Sequence, residues 1–158
     1  MFVLDCSVTM AWCFDDEASD YADAVLRKLE TEDVLVPTLW HLEVLNVLLV
    51  AERRGRITTQ QRHDFLQLLS QLVNLDTDLP TTSISDTAVL ELALQFNLSI
   101  YDAVYLALAI TQKVPLATQD KKLKAAAQAC DSGFKAQTTT HRLELPLSTF
   151  YLESPTGL

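Results

Sequence analysis

The feature of this chain that most limits its fold is a recurring pattern: an apolar run too short for a helix, followed by one or more stretches of helical period. Phe2-Val3-Leu4, Val34-Leu35-Val36 and Val114-Pro115-Leu116-Ala117 read as buried strands, with Val73 to Thr77 and Phe134 to Ala136 as further candidates. Between them, Ser7 offers a cap for a helix through Val8, Ala11 and Trp12, and Asp16 to Leu29 carries Tyr21, Ala22, Val25, Leu26 and Leu29 at helical spacing. Thr38 to Arg54 reads as a long helix stopped by Gly55, and Thr58 or Thr59 begins another that reaches Leu72. Ser83 or Ser85 begins a helix through Val89, Leu92, Ala93 and Phe96 that Asn97 ends in a left-handed turn. Tyr101 to Gln112 and Asp120 to Ala129 complete the set. Such alternation implies an α/β domain with a short parallel sheet covered on both faces. Ligands of such sheets collect at the carboxyl ends of strands, near the point where strand order reverses. Asp5 and Asp120 both fall just past predicted strands.

At 158 residues, 49% of them hydrophobic, the chain can bury one good core and is too short for two ordinary domains. The apolar stretch near Leu45 to Ala51 is far shorter than a membrane span and runs into Glu52-Arg53-Arg54. Asp5 interrupts the apolar N-terminus, which has no basic flank, so no secretory signal is read there and a cytoplasmic protein is expected. Cys6, Cys13 and Cys130 form no CxxC pair, and His41, His63 and His141 are scattered, which favours buried thiols over a zinc site or a histidine triad. A net charge of −9 excludes binding nucleic acid through the overall field of the protein. Local basic groups, Arg53-Arg54-Gly55-Arg56 or Lys121-Lys122-Leu123-Lys124, could reverse the potential at one cleft, or could be solvated helix ends.

Four acids sit in surroundings that normally exclude them. Asp5 follows a strand directly, and its alternative reading is a turn residue leading into the next helix. Glu43 shares a helical stripe with Leu39, Asn46, Val47 and Val50; it either points into packed structure or lies at the margin of an apolar helix and reaches water. Asp102 shares a stripe with Tyr105, Leu106 and Ala109, while Ser99-Ile100-Tyr101-Asp102 also has the spacing of a capping box. Asp120 could be only the cap of the helix after it. Each structural reading would suffice alone, but all four together are less economical than one shared site.

Two carboxylates about 4 Å apart repel by roughly 4 kcal/mol at an effective dielectric near 20, so a cluster needs protons or cations. Four oxygen ligands without Cys or His suit Mg²⁺ or Mn²⁺. Carboxylate-held ions of this kind serve phosphodiester hydrolysis, and Ser7, Asn46 and Thr118 are polar neighbours that could orient a carboxylate, a water or the phosphate.

Four stretches, Phe2-Val-Leu-Asp5-Cys-Ser7, Leu39-Trp-His-Leu-Glu43-Val-Leu-Asn46, Ser99-Ile-Tyr-Asp102-Ala-Val-Tyr-Leu-Ala-Leu-Ala109 and Pro115-Leu-Ala-Thr118-Gln-Asp120-Lys-Lys-Leu123, resemble the PIN-domain ribonucleases. Within that family they are most similar to the VapC-type toxins of bacterial toxin–antitoxin pairs. The resemblance implies a PIN-like three-layer α/β/α sandwich over residues 1–136, with 137–158 as a C-terminal extension. It also implies an acidic metal-binding quartet of Asp5, Glu43, Asp102 and Asp120 assisted by Ser7 and Thr118. The implied activity is Mg²⁺- or Mn²⁺-dependent cleavage of RNA, and the implied partners are a cognate antitoxin and a second copy in a homodimer. Two positions depart from the pattern: Cys6 replaces a small hydroxyl residue with its side chain expected to point away from the site, and no match continues after Gly133. The contrasting expectation is a catalytically inactive PIN-fold interaction module. A phospho-receiver domain is disfavoured, because Asp5-Cys6-Ser7 lacks a second acid.

Overall fold

The structure, a computed structural model, describes residues 1–72 and 84–137, the last of these, 132–137, by backbone alone. Its centre is β1 (Phe2–Leu4), three residues with no solvent exposure at all. The strand is flanked on one side by β2 (Val34–Leu35) and on the other by β3 (Leu116–Ala117), giving a parallel sheet of order β2-β1-β3. Val3 pairs with Leu35 on one side and with Leu116 on the other. Strand order therefore reverses at β1, and the carboxyl end of β1 is the position where a ligand site is expected.

Helices cover the sheet. The first, α1 (Cys6–Cys13), starts immediately after β1 with Asp5 at its N-cap position, so Ser7 lies inside the first turn and is not the cap the sequence suggested. The expected single helix from Asp16 to Leu29 is broken: a 3-10 turn spans Asp15–Glu17, and α2 (Asp20–Lys28) starts afresh where the Ser19 hydroxyl accepts from Ala22 N–H at 3.1 Å. Extended backbone at Ala18 and Ser19 is what separates them. Next, α3 (Leu39–Arg53) ends near Gly55, whose φ of +68° is left-handed backbone that favours glycine. Thr58 and Gln61 cap α4 (Thr59–Leu72) reciprocally.

Ser85 caps α5 (Asp86–Phe96), which Asn97 ends at φ 51°, as the sequence indicated. Only three residues later α6 (Ile100–Gln112) begins on Ser99, at an angle of 111° to α5. α7 (Lys121–Gln137) follows β3 and runs through Gly133, so the strand expected at Phe134 to Ala136 is helix instead. Alanine-rich sequence from Ala125 to Ala129 carries that helix forward, and each further residue adds a hydrogen bond without a new nucleation cost. The strand expected at Val73 to Thr77 and the extension beyond Gln137 lie outside the described residues.

α6 packs on β1, β3, α5 and α7 and buries Ala103, Tyr105, Leu106, Ala107, Leu108 and Ala109. The arrangement is an α/β/α sandwich around a short central parallel sheet. Among the described residues no single helix is long and apolar enough to cross a membrane. One polar chain runs through the core: the Trp40 indole N–H donates to the Thr9 hydroxyl at 3.1 Å, and that hydroxyl donates to the Asp5 carbonyl at 3.4 Å. It ties α3 to α1 at the end of β1. On the outside, Arg56 pairs with Asp16 at 2.5 Å and Glu17 at 2.8 Å and lies 3.8 Å over the Phe14 ring.

Thr9→Val keeps the shape of a fully buried side chain but leaves the Trp40 N–H without an acceptor. A loss of about 1–3 kcal/mol in urea unfolding is expected. The same change made in a Trp40→Phe background is expected to cost measurably less, because the orphaned donor is gone.

Candidate active site

Asp5 is the buried member of the acidic set, 6% exposed and placed where the chain leaves β1. Although it occupies the N-cap position of α1, its carboxylate makes no capping hydrogen bond. Its Oδ2 accepts instead from the Ser7 hydroxyl at 2.5 Å and from the Thr118 hydroxyl at 2.7 Å. Both donors are themselves held by the turn that leaves β3. Gln119 N–H donates to Ser7 Oγ at 2.9 Å, and Asp120 N–H donates to Thr118 Oγ1 at 3.0 Å. The Gln119 side chain is fixed in turn by the Ser19 hydroxyl at 3.2 Å.

The other three acids are anchored by similar means. Asp102 lies in a complete capping box: its Oδ2 accepts from Ser99 Oγ at 2.7 Å, while its own N–H donates to Ser99 Oγ at 3.0 Å. Asp120 Oδ1 accepts from the N–H groups of Lys122 and Leu123, both at 2.8 Å, and so caps α7. Glu43 Oε2 accepts a short hydrogen bond from the Tyr105 hydroxyl. In every case the anchoring bonds fall on one carboxylate oxygen and the second oxygen takes none of them. The capping readings of Asp102 and Asp120 are thus correct as local structure, and they leave half of each carboxylate uncommitted.

Electrostatics join Asp5, Glu43 and Asp102. Burial raises the pKa of Asp5; the two hydroxyls oppose the shift, the Asp102 charge adds to it, and the Cys6 N–H weakly opposes it. Burial likewise raises Glu43, the Tyr105 hydrogen bond opposes this, and the charges of Asp5 and Asp102 add to it. Burial first, and then the Glu43 and Asp5 charges, push the Cys6 thiol upward, so this side chain lies within electrostatic reach of the site. Tyr105 is also raised, by burial and by Glu43, and remains a neutral donor. Asp120 is connected through Thr118, which bonds both its backbone and Asp5. Asn46 lies exposed on α3, and no hydrogen bond joins it to Glu43 or Asp5.

None of the four acids forms an ion pair among the described residues. Their donor set is all oxygen, which suits a hard divalent cation. Among the described residues, however, no three Asp, Glu, His or Cys side chains converge tightly enough to hold an ion as they stand. The reason is visible in the anchors: Asp102 and Asp120 are drawn back onto the first turns of their own helices. Chemically the donors fit a cation, and holding one requires the four acids to draw closer together than they stand.

Sequence reading placed Tyr105 among packing residues and did not single out Ser19 or Gln119. The missed signal was that a tyrosine on a buried stripe must find a partner for its hydroxyl. The PIN domain matches residues 2–129, most of the chain, and the chain therefore belongs to the PIN-domain family. No curated protein matches it. PIN domains are generally nucleases that use divalent metal ions, which makes this a nuclease-type fold of the hydrolase class.

A buried acid with a raised pKa destabilises the folded chain wherever it is ionised. Its proton is retained in the folded state above the ordinary value of 3.8, so this contribution to stability falls as pH rises from there through the raised folded pKa. Asp5→Asn keeps an acceptor for Ser7 and Thr118 and removes the charge. In chelator, the variant is expected to melt higher than the parent at neutral pH by about 1–3 kcal/mol of stability and to converge with it toward pH 4. Melting curves of the pair across pH check this, with the exposed acid–base pairs common to both.

Proposed function

We propose that this protein is a Mg²⁺- or Mn²⁺-dependent endoribonuclease that hydrolyses RNA phosphodiester bonds, and that it is the toxin of a toxin–antitoxin pair. The observation that carries the reading is Asp5: a buried carboxylate at the strand-order reversal, with no cationic partner among the described residues and with the charges of Glu43 and Asp102 within reach. Such an arrangement is costly unless a proton or a cation enters, and membership of a nuclease family favours the cation.

In this reading Asp5, Glu43, Asp102 and Asp120 would hold the ion through the oxygens their anchors leave uncommitted. Bound there, a divalent ion supplies an acidified water and neutralises charge on the scissile phosphate. Ser7 and Thr118 orient Asp5 and oppose the rise in its pKa that burial causes, since hydroxyl donation favours the carboxylate over the acid. The helix N-termini behind Asp102 and Asp120 add partial positive charge at the same place. RNA would approach despite the net charge of −9, because the neutralised site and nearby lysines such as Lys121 and Lys122 offset the overall field locally.

The protein-partner part of the proposal draws on exposed apolar side chains. Leu42, Leu45 and Leu49 share one stripe of α3, and Leu90 and Leu94 share one of α5. Faces of this kind suit a homodimer contact and an antitoxin that covers the site. Cys6, Cys13 and Cys130 are free thiols, which fits a cytoplasmic protein. The rival reading is a catalytically inactive PIN-fold interaction module, favoured by the drawn-back caps of Asp102 and Asp120.

Purified chain is expected to cut RNA with Mg²⁺ or Mn²⁺ and to stop in chelator. Asp5→Asn and Asp102→Asn should each slow cleavage by on the order of 100-fold or more, at least the loss seen for partners outside a metal's ligand set. Undiminished cleavage in either variant would remove these residues from the active site. Mn²⁺ at 100 times its dissociation constant should stabilise the parent by about 2.7 kcal/mol in thermal melts and leave Asp102→Asn nearly unmoved; no shift in the parent would favour the inactive module.

A further inference from the structure

Asp5, Asp102 and Asp120 each draw on a donor within three residues in the chain: the Ser7 hydroxyl for Asp5, beside that of Thr118, the Ser99 box for Asp102 and helix N–H groups for Asp120. Glu43 has none of these. It projects from the second turn of α3, which packs mainly on α1 and α4, and its flexible side chain is only half buried. Its one hydrogen bond crosses to another element, the hydroxyl of Tyr105 on α6. Tyr105 itself has no solvent exposure, so its ring cannot move without disturbing the core against β1. A phenylalanine would fill the same space, and packing alone gives no reason for the hydroxyl. One helical turn separates Tyr105 from Asp102, so the helix that delivers one acid also delivers the donor that fixes another.

We propose that Tyr105 is a positioning residue for the cation site: its buried hydroxyl holds one oxygen of the Glu43 carboxylate and thereby stations Glu43 beside Asp5 and Asp102. The inference rests on the reading of these acids as cation ligands. It gives α6 a second role, as a rigid arm that sets the spacing between acids carried on α3 and at the end of β1. Residues that orient metal ligands commonly change affinity by 10- to 100-fold when removed.

The test is Mn²⁺ affinity measured by calorimetry at one pH for four proteins: the parent, Tyr105→Phe, Glu43→Gln and the double variant. Tyr105→Phe is expected to weaken Mn²⁺ binding by on the order of 10-fold or more. In the Glu43→Gln background the same change should alter affinity by less than about twofold, because the group it acts through is gone. Parental affinity in Tyr105→Phe overturns the proposal, and so does an equal loss in both backgrounds, which would mark a merely structural role. A parent chain that does not bind Mn²⁺ overturns the cation reading and this proposal together; a parent that binds while Tyr105→Phe binds equally well overturns this proposal alone. A second measurement needs no variant. The ζ-carbon resonance of Tyr105, which reports its hydroxyl's hydrogen bond, is expected to move when the parent is saturated with Mg²⁺. A resonance unchanged by saturating Mg²⁺ overturns the proposal.

Discussion

A carboxylate at the exit of a wholly buried strand is the constraint around which this molecule is arranged. Asp5 cannot be left without partners, because an unpaired buried charge costs several kcal/mol. The structure answers with two hydroxyls on one oxygen, and then holds those hydroxyls by backbone groups of the turn after β3. That turn in turn sets the start of α7, with Asp120 as its cap. The carbonyl of Asp5 is engaged separately, through Thr9 and Trp40, which brings α3 to the same place. Accommodating one acid therefore fixes the relative positions of α1, α3, β3 and α7.

The same region shows how acids can be gathered without basic residues. Asp5, Asp102 and Asp120 all stand at the beginnings of helices, where unpaired N–H groups and the aligned backbone dipole favour negative charge. These partial charges ease the repulsion among carboxylates without neutralising it; the pKa values of Asp5 and Glu43 are raised mainly by burial, and the neighbouring carboxylates add to the rise. A lysine or arginine in the cluster would relieve the strain and also compete for the site. Among the described residues no such side chain pairs with these acids. In Asp102 and Asp120 the capping bonds engage one carboxylate oxygen and leave the second without an anchoring bond.

Local signals carried a large part of the fold. Ser85 and Ser99 as caps, Asn97 as a left-handed stop and Gly55 at the end of α3 depend on the few residues around each, and the structure has them where the sequence indicated. The failures are equally local in origin. Ser19, absent from the expected caps, starts α2 later than periodicity suggested, since apolar spacing alone does not register a break in the backbone. The absence of a breaker strong enough to stop α7 let helix continue through Phe134 to Ala136. Glu43 was the most ambiguous acid because its helix is apolar nearly all round, and nothing near it in the chain reveals which face is enclosed.

By itself the sequence determined the alternation of strands and helices, and hence a parallel sheet with acids at its carboxyl end, because periodicity and capping act over a few residues. Only the tertiary structure decided which groups meet at that end. Tyr105 reaches Glu43 across 62 positions and Thr118 reaches Asp5 across 113. Contacts at such separations are set by how α6 packs on β1 and how β3 pairs with it, and no local backbone preference encodes them.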